Sequence, residues 1–132
     1  MGTRRINVYL ILSVAYMGLI FFLSSFRMEI KAVAFSFGDK LVHLVVYGIL
    51  ASLIYLALRE MSIGKRYVLI LAFAISFAYG VTNEIHQYFV PWRDADVFDV
   101  MANGIGAFCF PMALWLRTHQ QERQVSKNRH VT

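Results

Sequence analysis

YVLILAFAISFAYGVTNEIHQYF, residues 67–89, is apolar for two thirds of its length and polar at its end. A helix that crosses a bilayer needs about 20 mainly apolar residues, and this run satisfies that length. No Asp, Glu, Lys or Arg interrupts Tyr67–Asn83; then Glu84, His86 and Gln87 follow in quick succession. Charge at membrane depth costs several kcal/mol unless it is paired or wetted. A helix built this way therefore needs neighbours with matching polar faces.

Three further apolar runs supply those neighbours. They are INVYLILSVAYMGLIFFLSSF (6–26), LVHLVVYGILASLIYLAL (41–58) and VFDVMANGIGAFCFPMALWL (97–116). The chain of 132 residues is 58% hydrophobic and only 16% charged, against about 25% charged in soluble domains. The composition thus predicts an all-α membrane protein, a four-transmembrane-helix bundle. Residues 1–117 form one domain, followed by a basic cytoplasmic tail, 118–132, expected to be disordered. The first run is too long for the apolar region of a signal peptide and no small-residue cleavage site follows, so it reads as an uncleaved span. The lone cysteine, Cys109, excludes an intramolecular disulfide, and its apolar setting predicts an inert core thiol.

Orientation follows the basic residues. Placing both termini in the cytoplasm puts nine Lys and Arg inside and four outside, the asymmetry expected of cytoplasmic segments. The net charge of +5 lies between apolar runs, which fits membrane topology and not a nucleic-acid partner. The stretch Met28–Gly38 alternates apolar and polar residues and is too short to span; a partial helix at the outer interface is expected there.

The polar residues form stripes. Asp39, His43 and Tyr47 repeat at i, i+4, i+8 on the second helix. Glu84 and Gln87 share a face of the third, with Asn83 beside them; Asp96, Asp99 and Asn103 share a face of the fourth. All three stripes fall in the outer half of the membrane, with Arg93 in the tight connection between two of them. Turned inward, they form one cluster in which Arg93, Lys40 and His43 balance Asp39, Glu84, Asp96 and Asp99. Arg93 offers a planar fork suited to a carboxylate or a phosphate. His86 lies about 200° around the helix from Glu84 and reads as an interfacial anchor, and Asp94 as a solvated loop residue or cap. Ser24 and Ser25, at the end of the first helix, read as small packing residues. Two readings of the cluster stand side by side: a ligand site, or a charge network that only holds the bundle together.

Established signatures narrow the chemistry. There is no H-E-x-x-H, no calcium loop, no G-x-S-x-G and no P-loop. Asp39, His43, Glu84, Asp96 and Asp99 are of the types that hold a metal, but nothing in the sequence fixes their separation. No metal site and no cofactor is assigned on the sequence.

DKLVHLVVYGIL (39–50) and EIHQYFVPWRDADVFDVMANGIGA (84–107) together resemble the VanZ-like family of small bacterial membrane proteins. The matching positions are Asp39, Lys40, His43 and Tyr47; Glu84, Gln87, Phe89, Pro91 and Arg93; and Asp99, Asn103 and Gly106, with Ser24 and Ser25 matching the family's Ser-Ser. The likeness covers roughly residues 20–110. The family often has Gln where Phe26 stands and Gly where Phe110 stands. Its founding member is associated with teicoplanin resistance. The resemblance therefore implies a cell-envelope role in the bacterial plasma membrane.

The ligand-binding set expected is Asp39, Lys40, His43, Tyr47, Glu84, Gln87, Arg93, Asp99 and Asn103. Its partner would be a lipid-linked wall precursor, a lipid headgroup or a glycopeptide, approached from the bilayer. Two other classes compete. One is an intramembrane enzyme acting on a lipid-linked substrate, with Asp, Glu and His as acid, base or metal ligands. The other is a small ion-coupled carrier, which four short spans without a paired half-repeat argue against for a monomer.

Overall fold

The computed structural model describes residues 2–26, 36–91, 93 and 95–129. It consists of four helices: α1 (Gly2–Ser24), α2 (Ser36–Arg59), α3 (Lys65–Tyr88) and α4 (Val97–Arg129). Each is long and apolar enough to cross a membrane, and no strand occurs among the described residues. The helices overrun the apolar stretches at most of their ends, because backbone groups near lipid are best satisfied within a helix.

α2 is the central element. It packs on α1, α3 and most extensively α4, whereas α1 meets α3 only slightly. The core is formed by Tyr47, Leu50, Ile54 and Tyr55 of α2, Val68 and Ala72 of α3, and Ile20 of α1. The outward faces carry Ile11, Val14, Phe22, Leu41, Ile70 and Ile105, all exposed. In water such surface would be a liability; in a bilayer it is the lipid contact.

The α2–α4 crossing is close because of glycine. A Cβ at Gly106 would run into the backbone carbonyl of Leu44, and one at Gly48 would lie 2.6–2.9 Å from the ring of Phe110. Phe110 thus seats its ring on Gly48 of the facing helix. The close approach survives because the missing side chain is on α2.

Two sequence expectations are corrected, and a third falls mostly outside the described residues. Residues 118–129 are not a disordered tail: α4 continues unbroken to Arg129. No Gly or Pro follows Pro111 in it, and its Gln, Glu, Lys and Arg are good helix formers. Lys65 Nζ also bonds Glu122 Oε2 at 2.8 Å, tying this extension to the start of α3. Cys109 is exposed on the flank of α4 and is not a core thiol. Of the interfacial helix expected over 28–38, most lies outside the described residues, and Ser36–Gly38 open α2. Residues 130–132 and Asp94 also lie outside them.

Candidate functional site

The end of α1, the start of α2, the end of α3 and the start of α4 meet at one end of the bundle, and the polar stripes meet there. Asp96 is the hub. Its Oδ1 accepts the Phe98 N–H at 2.9 Å, which makes it the N-cap of α4. Its Oδ2 accepts Lys40 Nζ at 2.8 Å, and its own N–H donates to Glu84 Oε1 at 2.8 Å. One residue thereby fastens α4 to both α2 and α3. The Lys40 ammonium, followed by the Phe98 N–H, holds the Asp96 carboxyl below the usual carboxylate range.

Asp99 and Asn103 continue along the same face. Lys40 Nζ reaches Asp99 Oδ1 at 3.3 Å. His43 Nδ1 lies 3.0 Å from Asn103 Oδ1, and His43 Nε2 lies 3.8 Å from Asp99 Oδ2. An amide oxygen only accepts, so the Nδ1 contact requires the proton on Nδ1. In the neutral ring, Nε2 is then left as a lone pair facing Asp99. Asp39, His43 and Asp99 offer ligand atoms all within 4.8 Å of one another.

Tyr47 lies one turn deeper than His43, its ring stacked parallel to the imidazole at 6.3 Å between centroids. The Tyr47 ring and the Asn103 amide converge on Gly80 of α3, each standing 3.1 Å from where a Cβ would be. Tyr47, Glu84 and Asn103 are buried, at 1%, 5% and 0% exposure. Among the described residues, the Tyr47 hydroxyl, Glu84 Oε2 and Asn103 Nδ2 have no hydrogen-bond partner. Buried polar groups are nearly always partnered, and each orphan costs about 1–3 kcal/mol. Three orphans from three different helices in one polar cluster set this region apart.

The structure brings the expected residues to one end, with differences in detail. Asp39 is exposed, Lys40 and Arg93 are half-buried, and His43, Tyr47, Glu84, Gln87, Asp99 and Asn103 are buried. Arg93 was expected to help balance Asp39, Glu84, Asp96 and Asp99. Among the described residues no hydrogen bond or ion pair joins it to them; its Nε instead donates to the Ser24 carbonyl at 3.4 Å. The carboxylates Asp96 and Asp99 are taken by Lys40.

Ser24, Ser25 and His86 do more than the sequence indicated. Ser24 Oγ donates to Asn83 Oδ1 at 2.8 Å, and Ser25 Oγ lies 3.1 Å from His86 Nε2. His86 also packs its ring on Phe21 at 4.4 Å, so it faces α1. The available signal was the pairing of two hydroxyls with two amide or imidazole groups at matching helix ends.

The VanZ/LLP1 family model matches residues 4–118 of this sequence. The chain belongs to the VanZ/LLP1 family. No curated protein and no solved structure matches it. The match takes in all four apolar spans and every residue of the polar cluster. This VanZ/LLP1 chain is accordingly a multi-pass membrane protein, with its polar residues gathered at one end of the bundle.

Proposed function

We propose that this protein binds a phosphate-bearing or otherwise anionic amphiphile at the polar end of the bundle. That end faces the outer leaflet of the bacterial plasma membrane, and both termini are cytoplasmic. The candidate ligands are a lipid-linked wall precursor, a lipid headgroup or a glycopeptide antibiotic. The ligand-binding residues are Asp39, Lys40, His43, Tyr47, Glu84, Gln87, Arg93, Asp99 and Asn103.

One observation carries this reading: the unpartnered Tyr47 hydroxyl, Glu84 Oε2 and Asn103 Nδ2 around His43. A network evolved only to hold helices together gains most when every member is satisfied. A site that completes its hydrogen bonds with a ligand is left with groups like these. Lys40 and Arg93 supply the cations for an anionic headgroup, and Arg93 leaves its terminal fork free of Glu84, Asp99 and Asn103. Orientation rests on the nine-to-four partition of basic residues.

The test is direct binding. Purified protein in detergent is titrated with undecaprenyl phosphate and with neutral undecaprenol. Preference for the phosphate by at least about tenfold, equal to 1.4 kcal/mol, supports the reading; equal affinity for the two removes it. An intramembrane enzyme is the second reading, favoured by the approach of His43 Nε2 to Asp99 Oδ2. Turnover of a lipid-linked substrate that stops in Glu84→Gln would establish it instead.

A further inference from the structure

We infer that Asp39, His43 and Asp99 form a binding site for one divalent cation of the Mn2+ to Zn2+ range. The three residues come from α2 and α4 and offer two carboxylate oxygens and one imidazole nitrogen, all within 4.8 Å of one another. Carboxylate suits Mn2+, and imidazole suits Zn2+ and its neighbours in the first row.

The geometry around His43 is that of a ligand and not of an ion pair. A ligating histidine almost always gives its other ring N–H to an acceptor, which fixes the tautomer. Here Nδ1 faces Asn103 Oδ1 at 3.0 Å, leaving Nε2 to face Asp99 Oδ2. The 3.8 Å between those two atoms is too long for a hydrogen bond. With bonds of about 2.0–2.2 Å to a shared ion, two ligand atoms stand roughly 3.0–3.5 Å apart. The remaining adjustment is a few tenths of an ångström for this pair. Asp39 is exposed and free to supply the rest through its side-chain rotamer.

A further observation points to a cation. Glu84 is 5% exposed, and among the described residues its Oε2 has no hydrogen-bond partner. Lys40 does not fill the site, since it sits on Asp99 Oδ1 and Asp96 Oδ2 and leaves Asp99 Oδ2 open. Three protein ligands leave coordination positions for water or for an anionic oxygen, on the side where Asp39 is exposed.

The site stands on this geometry and does not require the amphiphile. The full chain in detergent is stripped with EDTA and titrated calorimetrically with Mn2+ and with Zn2+, with bound metal counted by mass spectrometry. The expected result is one ion per chain for at least one metal. Asp39→Asn and His43→Gln should each weaken it at least about tenfold, the scale seen even for loss of an outer-shell partner. Glu122→Gln, on the exposed extension of α4, should bind as wild type, which excludes metal held at His119 and Glu122. Asp39 is exposed, so its variant keeps wild-type helicity and carries the test if the His43 variant fails to fold. Wild-type protein that takes up neither metal, or an Asp39→Asn protein with wild-type affinity, overturns the inference. Metal uptake without undecaprenyl phosphate binding would leave the cation site standing and remove the amphiphile reading alone.

Discussion

Gly106 of α4 lies against the backbone carbonyl of Leu44 in α2, so closely that no methyl group fits between them. The partner atom is main chain, which cannot swing aside as a flexible side chain would. Gly106→Ala should therefore separate α2 from α4 and cost roughly 1–3 kcal/mol, the usual scale of overpacking. Thermal unfolding in detergent, followed by circular dichroism, reads the loss.

The neighbouring contact allows a compensation test. Gly48→Ala places a methyl group on the Phe110 ring, and Phe110→Gly removes that ring. Each single variant should be destabilised, the first by overpacking and the second by a cavity of a few kcal/mol. The double variant should recover part of the loss. A cycle energy near zero would mean that the two residues do not share this contact.

Tyr47→Phe separates structure from ligand. Its hydroxyl is buried without a partner, so its removal should leave the free protein equally stable or more stable by about 1 kcal/mol. Binding of undecaprenyl phosphate should weaken in the same protein. A loss of stability with unchanged binding would assign the hydroxyl to the fold.

Arg93→Lys keeps the charge and loses the fork. Its described bond, to the Ser24 carbonyl at 3.4 Å, is long enough that stability should change by less than 1 kcal/mol, as for weak bonds between helices in membranes. Affinity for the phosphate should fall at least about tenfold. Full affinity at normal stability would rule out a grip by the guanidinium.

Topology can be read from reporter fusions after residues 62, 93 and 129. A cytoplasmic signal at 62 and 129 and an external one at 93 are expected. A cytoplasmic signal at 93 would turn the polar end inward and remove access from the outer leaflet.

The spans were legible because apolar length has few alternative meanings in a chain this poor in charge. The stripes were legible because helical spacing alone puts Asp39, His43 and Tyr47 on one face. Pairings were not. Spacing within a helix says nothing about the rotation of one helix against another, and that rotation decides that Lys40 and not Arg93 takes Asp96 and Asp99. The contact of His86 with α1 was not legible for the same reason, since it depends on where α1 packs. The extension of α4 was missed because polarity was read as disorder, although helix propensity and the Lys65–Glu122 bond favour order.

The central position of α2 has a consequence for biogenesis. Its main partner is the last helix to be made: His43 and Asn103 are 60 residues apart in the chain, and Lys40 and Asp96 are 56. At about 5–20 residues per second, the polar face of α2 waits several seconds at membrane depth before α4 can cover it. During that interval the nascent chain resembles a misassembled protein. Variants that delay the docking of α4, Gly106→Ala first among them, should therefore lower cellular abundance more than their equilibrium stability alone would suggest.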